Sequence, residues 1–178
     1  MRIEIITATP NHAPAVSYIG RTAFRDSFAH LFKSEEELAE YLDYSYAVEK
    51  IGESIRKENN VYLLAIADGL PAGFAKLKKH SLNEQLDSVF QAELQKIYVL
   101  REYHGRDVGN ALMQEVLRLV EALEPECLWL DTHISNARAI HFYEKYGFRK
   151  SGLHHFTIGT QTFEYHLMTL QVAVPVCS

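Results

Sequence analysis

The chain is short of several things whose absence narrows its class. Two cysteines in 178 residues, Cys127 inside an apolar run and Cys177 near the end, make no disulfide framework, which points away from a small secreted scaffold. The longest apolar runs, such as residues 61–67, fall well short of the roughly 20 residues that a membrane-spanning helix needs. The opening Met1-Arg2-Ile3-Glu4 has no apolar signal core, so the cytoplasm is the expected compartment. Basic residues are not in excess: 18 against 23 acidic ones leave a net charge of −5, which argues against nucleic acid as a partner and is compatible with a cationic substrate. Nine histidines occur without a His-Glu-x-x-His or Cys-x-x-Cys pattern, so no metal site is expected. Repeats, linkers and low-complexity runs are missing too, which leaves one domain over residues 1–172 with a tail at 173–178.

What is present is a soluble pattern, 47% apolar and 23% charged, long enough to bury a real core. Ile3, Ile5 and Thr7 alternate with polar neighbours as a strand. Thr9-Pro10-Asn11 offers a helix start, and Val16, Ile19, Ala23, Phe24 and Phe28 make a helical stripe. Ser34 with Glu37 three residues on matches a capping box, followed by Leu38, Tyr41 and Leu42 on one face. Ser45 is the expected cap of a further short helix carrying Val48, Ile51 and Ile55. Residues 61–67 and 72–77 read as a hairpin around Asp68-Gly69, and 79–91 as a polar loop. Strands are expected at 94–100 and 127–132, a helix from Gly109 to the break at Pro125, a helix over 136–146 closed by Gly147, and a last hairpin from 148–156 and 162–170. The order β-αα-βββ-α-β-α-ββ implies an α/β domain with a mixed (α+β) sheet.

The stretch with most chemical content is residues 95–116. A strand ending at Leu100 passes through a turn at 104–108 into a helix carrying Ala111, Leu112, Val116, Leu119 and Val120. Such a passage leaves main-chain N–H groups unpaired at the positive end of a helix dipole, which suits an anion. A phosphate-bearing ligand is one reading of it; an ordinary strand–turn–helix is the other.

This stretch is followed by Asn136-Ala137-Arg138-Ala139-Ile140-His141-Phe142-Tyr143-Glu144-Lys145-Tyr146-Gly147-Phe148. Together they resemble the GCN5-related N-acetyltransferase (GNAT) superfamily over the whole chain. Within it, residues 22–28, Tyr41-Leu42 to Ile55, and Gly152-Leu153-His154-His155-Phe156 are similar to bacterial spermine/spermidine acetyltransferases of the PaiA type. The resemblance implies the acyl-CoA N-acyltransferase fold, acetyl-CoA as co-substrate and an amine acceptor; a homodimer is common for such folds. The family's pyrophosphate turn reads Gln/Arg-x-x-Gly-x-Gly/Ala, which falls here on His104, Gly105, Arg106, Asp107, Val108 and Gly109. Asp107 stands where the family has its first glycine. A carboxylate there repels a pyrophosphate unless it faces solvent or is neutralised by Arg106 or Arg101. A second register, Arg106-x-x-Gly109-x-Ala111, sits two residues too far from the strand.

The resemblance assigns cofactor contacts to Ile97, Tyr98, Val99, His104, Gly105, Arg106, Asp107, Val108, Gly109, Asn110, Asn136 and Tyr143. An amine must lose a proton before it attacks a thioester, and Glu93 is the candidate to take it through a water; Gln95 could hold that water, and Glu102 is a weaker candidate. The Val99 N–H would hold the oxyanion if the neighbouring parallel strand splays away. Tyr143 matches the family tyrosine that returns a proton to the leaving thiolate; spacing alone favours a core tyrosine, and the full Asn136–Phe148 motif favours the family role. Asn136 would hold the pantetheine or pyrophosphate arm, and by itself is a helix cap. Cys127, in an apolar strand, reads as an inert thiol, so direct transfer in a ternary complex is expected rather than an acyl-enzyme. One of the pair His154-His155 could line the acceptor pocket. Glu35, Glu36, Glu37, Glu40, Asp43, Glu49 and Glu53, interleaved with Tyr41, Tyr44 and Tyr46, could seat a polyamine or form a solvated helix face. A non-catalytic CoA- or polyamine-binding regulator, or transfer to a protein N-terminus or an amino-acid derivative, remain alternatives.

Overall fold

The computed structural model describes residues 1–172; Cys177 and the expected tail at 173–178 lie outside the described residues. Along the chain the elements are β1 (Ile3–Thr7), α1 (Ala13–Phe28), α2 (Glu35–Ser45), α3 (Val48–Arg56), β2 (Asn60–Ala67), β3 (Leu70–Lys78), β4 (Gln91–Val99), α4 (Val108–Leu123), β5 (Cys127–His133), α5 (Ala137–Lys145), β6 (Arg149–Ile158) and β7 (Gln161–Gln171). No helix among the described residues is long and apolar enough to cross a membrane.

The described residues gather into two compact units, residues 1–77 with 96–117, and residues 78–95 with 118–172. Strand order is β1-β2-β3-β4 in the first and β4-β5-β7-β6 in the second, β4 contributing its second half to one and its first half to the other. In the second unit β4 and β5 are parallel at Gln91↔Cys127, Ala92↔Leu128 and Glu93↔Trp129, while β5–β7 and β6–β7 are antiparallel. The sheet is therefore mixed, as the order of elements implies.

In the first unit the apolar faces of α1 to α3 close over the strands: Val16, Ile19, Phe24, Leu38, Leu42, Tyr46, Ile51, Tyr62, Leu64 and Phe74 are all buried in one cluster. Each large side chain so buried is worth about 1.5–3 kcal/mol of transfer free energy. Ser34 caps α2, its hydroxyl accepting from the Glu37 N–H at 3.2 Å, and Glu35, Glu36 and Glu37 sit at the positive end of the helix dipole.

Two local expectations are corrected. Ser45 does not cap α3; it is the last residue of α2, where its hydroxyl serves Tyr41, and α3 starts after Ala47. The intervening Tyr46 is sunk into the core, where it meets Gly20, and the Ser17 hydroxyl donates to its carbonyl. Three helices thus precede β2, one more than the order β-αα-βββ-α-β-α-ββ holds. The central strand also starts earlier, at Gln91, because the "loop" before it is tied down. Gln91 donates to the Ser88 carbonyl at 2.6 Å and accepts from the Asn83 N–H at 2.7 Å. Hydrophobic alternation cannot register a strand that opens on buried polar residues.

Candidate active site

After Leu100 the chain makes a single short turn of 3-10 helix at Arg101–Tyr103 before reaching His104. The His104 ring, with Nε2 protonated, donates to the Val99 carbonyl at 2.8 Å and so pins the start of the turn to the end of β4. Gly105 follows at φ +72°, and a Cβ built on it would meet nothing within 4 Å, so the backbone is bare on that side. Asp107 is also left-handed, at φ +63°. The turn pattern that the sequence resembles has glycine at this position, and Asp is among the few side-chain-bearing residues that tolerate such a conformation. The Asp107 carbonyl accepts the first helical bond, from Ala111 at 2.9 Å, which makes it the N-cap of α4. Its carboxylate is not neutralised by Arg101, whose Nε lies 3.9 Å from Asp26; it accepts instead from the Asn110 amide at 3.1 Å.

Val108, fully buried, anchors the helix below the turn, while residues 104–107 are exposed. The amides of Gly105, Asp107, Val108 and Gly109 donate to no backbone group among the described residues. Open donors at the start of a 16-residue helix, with no side chain over Gly105, form a cradle that fits a diphosphate.

On β4 the direction of each amide follows from one bond. The Leu100 N–H donates to the Ala72 carbonyl at 2.9 Å, so Leu100, Tyr98 and Lys96 turn their main-chain groups to β3. Gln95, Ile97 and Val99 turn theirs away from β3. Tyr98 contributes backbone alone, since its ring packs on Phe74 at 5.8 Å, and Ile97 is half-buried.

The second unit holds the titratable candidates. Glu93 is 9% exposed and accepts from the Ser81 hydroxyl at 2.7 Å. Ser81 is itself held by the Trp129 indole N–H, which donates to its carbonyl at 2.8 Å, and by its own N–H to the Gln91 carbonyl at 2.9 Å. A positioned carboxylate is the result. Gln95 is exposed, as is Glu102 in the first unit. Tyr143 on α5 is buried between Phe142 and Phe148, at 5.6 and 5.9 Å between ring centroids. Burial pushes its hydroxyl well above the ordinary phenol range, so it stays protonated at any working pH. That hydroxyl is not among the polar atoms sealed from solvent without a partner. Asn136 caps α5, its side-chain oxygen accepting from the Ala139 N–H at 3.3 Å, which leaves its NH2 as the group able to reach a ligand.

Ser81 and Trp129 escaped sequence reasoning because nothing in a polar loop signals that it will hold a carboxylate dozens of atoms away. His154 and His155 are both engaged: His154 Nδ1 lies 2.9 Å from Asp131 and His155 Nε2 lies 3.1 Å from Glu164. Cys127 is buried, with the Ser88 hydroxyl 3.5 Å from its sulfur. Around α2, Glu35 pairs with Arg25 and Asp43 with Arg21, and the Tyr44 face is covered by the Lys50 ammonium at 3.6 Å. Glu36, Glu40, Glu49 and Glu53 are exposed.

Comparison with known proteins bears on these features. The model of the acetyltransferase (GNAT) family matches residues 22–148. An uncharacterized N-acetyltransferase of Lactobacillus delbrueckii subsp. lactis is 25% identical over 158 residues, covering 88% of this chain and 90% of the relative. Spermidine N(1)-acetyltransferase of Thermoplasma acidophilum is 26% identical over 153 residues, 84% of this chain and 89% of the relative. The crystal structure of the PaiA N-acetyltransferase from Thermoplasma acidophilum, in complex with coenzyme A, superimposes with a TM-score of 0.78 at 23% identity, covering 96% of this chain and 99% of the other; at that identity it speaks for the fold. The family model spans the turn, the central strand and the Asn136–Phe148 motif alike, and the chain belongs to the acetyltransferase (GNAT) family as an acetyl-CoA-dependent N-acetyltransferase.

Proposed function

We propose that the chain moves the acetyl group of acetyl-CoA to a primary amine of a small cationic acceptor of the spermidine and spermine class, by direct attack in a ternary complex. The observation that carries the reading is the cradle of open amides at the start of α4, intact although Asp107 replaces a glycine. Its left-handed backbone supports a working turn rather than a decayed one. Acetyl-CoA supplies the activated thioester; the chain's residues handle protons and charge.

Glu93, fixed by Ser81, takes the ammonium proton through a water so that the nitrogen lone pair is free. The Val99 N–H, turned away from β3, donates to the oxyanion formed on attack. Tyr143 faces a steep task as an acid, since its hydroxyl is pushed above the thiol's ordinary range, near about 8.5. Its role is therefore to donate a hydrogen bond to the departing sulfur, and the proton shed by the attacking nitrogen as the intermediate collapses completes the thiol. His104, Gly105, Arg106, Asp107, Val108, Gly109 and Asn110 hold the diphosphate, and Asn136 holds the arm through its NH2.

The polyamine class is supported by the spermidine acetyltransferase among the relatives and by the exposed carboxylates Glu36, Glu40, Glu49 and Glu53. Thiol release from acetyl-CoA, measured with spermidine, spermine, putrescine and a panel of amino-acid amides and peptides, tests it. Spermidine or spermine should give the highest kcat/KM. Preference for a peptide N-terminus would overturn the acceptor class, and thiol release with no amine on the panel would overturn the transfer itself.

A further inference from the structure

In the second unit one face of the sheet carries a polar pair that the chemistry above does not use. Glu93 stands level with Trp129 on the parallel β4–β5 ladder, so their side chains share a face, and both reach Ser81. Asp131 lies two residues further along β5 and projects from that same face. Through the pairs His133↔Tyr165 and His154↔Tyr165 the face continues across β7 to His154 on β6, and Phe156 follows two residues on.

His154 reaches back over β7, its Nδ1 lying 2.9 Å from Asp131 Oδ2. An ionised carboxylate only accepts hydrogen bonds, so Nδ1 carries the proton and Nε2 of the neutral ring keeps an open lone pair. That nitrogen has no hydrogen-bond partner among the described residues, and the His154 side chain is 38% exposed. Asp131 is the reverse. Its side chain is 12% exposed, its Oδ1 is sealed in without a partner, and no lysine or arginine among the described residues pairs with it. A buried carboxylate so served is short of compensating charge. The exposed Phe156 ring lies alongside, 4.4 Å from the His154 ring and 5.0 Å from that of Tyr165.

The donor set is too small for a metal ion, since no group of three or more candidate ligands forms among the described residues. It suits an alkylammonium. Such a cation donates an N–H to Nε2, the carboxylate behind the ring answers its charge, and the Phe156 face adds a cation–π contact. Position matters as well: one strand across and two residues along put the Asp131 backbone roughly 8 Å from that of Glu93. The two carboxylates are too far apart to serve one nitrogen and well placed to serve two nitrogens of one chain.

We propose that His154, backed by Asp131 and flanked by Phe156, binds the second ammonium of the acceptor while Glu93 takes the proton of the first. This site deepens the polyamine reading, on which it rests: it selects a polyamine over a simple amine. No bond is made or broken at His154.

Two measurements test the site. In the first, kcat/KM is compared for spermidine and for butylamine, which lacks a second nitrogen. His154→Ala should lower the spermidine-to-butylamine ratio about tenfold, and Phe156→Leu should lower it about threefold. His155→Ala, on the opposite face and paired with Glu164, should leave the ratio alone. In the second, long-range 1H–15N spectra of the complex with coenzyme A follow the His154 ring nitrogens, identified by their loss in His154→Ala, as spermidine is added. Spermidine should move the Nε2 resonance at concentrations about tenfold lower than butylamine needs at matched ionic strength. Should His154→Ala not fold, Asp131→Asn, which keeps the shape and removes the charge, reads the same ratio and displaces the same signals. A ratio within about twofold of the parent, or an Nε2 resonance that spermidine leaves in place, would overturn the site. If no amine is acetylated while spermidine still moves that resonance, the transfer reading falls and the cation site stands.

Discussion

The turn at 104–109 and the knot around Glu93 handle polar groups in opposite ways. In the turn the donors belong to the main chain and are left open, and the side chains of 104–107 are exposed, Asp107 accepting from Asn110. In the knot the three polar groups of Ser81 are committed: its hydroxyl to Glu93, its carbonyl to Trp129, its N–H to Gln91. A site built from amides tolerates new side chains as long as the dihedral angles survive. A site built from side chains has no such latitude.

The sharpest break in this comparison is at Tyr143, which belongs with the side-chain chemistry. Tyr143→Phe should lower turnover by roughly a hundredfold while calorimetry shows acetyl-CoA affinity within about twofold, since the cradle lies elsewhere in the chain. Equal losses in turnover and affinity would place the hydroxyl in cofactor binding instead. Next in size is a packed glycine set against the open Gly105. A Cβ on Gly20 would lie 2.3 Å from the Tyr46 ring, so Gly20→Ala should cost about 2–3 kcal/mol in denaturant unfolding. A cost below about 0.5 kcal/mol would mean that Tyr46 moves freely.

A smaller effect appears in stability alone. Burial raises the Asp131 carboxyl above its ordinary range, against the opposing pull of His154, and one of its oxygens is sealed in without a partner. The folded carboxyl then holds its proton more tightly than the unfolded one. Its stabilising contribution is full below the unfolded value, near about 3.9, and is lost as the pH rises through the raised folded value. Asp131→Asn has no proton to lose, so its stability relative to the parent should improve as the pH rises from about 4 toward neutrality. A constant gap across that range would mean that the two states share one value. The smallest effect returns to the turn. Asp107→Gly keeps the left-handed backbone and removes a negative charge, and should tighten acetyl-CoA binding about two- to fivefold. Asp107→Ala, strained by about 1–2 kcal/mol at the same angles, should weaken it. If Gly and Ala behave alike, the conformation of residue 107 is not what the turn requires.

Local order was written plainly in the chain. Period-two and period-3.6 patterns and the Ser34 cap determined most elements, because those signals act between residues a few places apart. The spacing from β4 through the turn to α4, and the run Asn136 to Phe148, likewise pointed to a diphosphate cradle and to the family, since main-chain geometry over so short a span is local too. What depended on strands meeting was out of reach. Only the tertiary structure decided that Glu93 is held by Ser81 and that Tyr46 is sunk against Gly20 rather than offered to a ligand. Register and burial are set by which distant segments share a sheet or a core, and no spacing along a single segment carries that information.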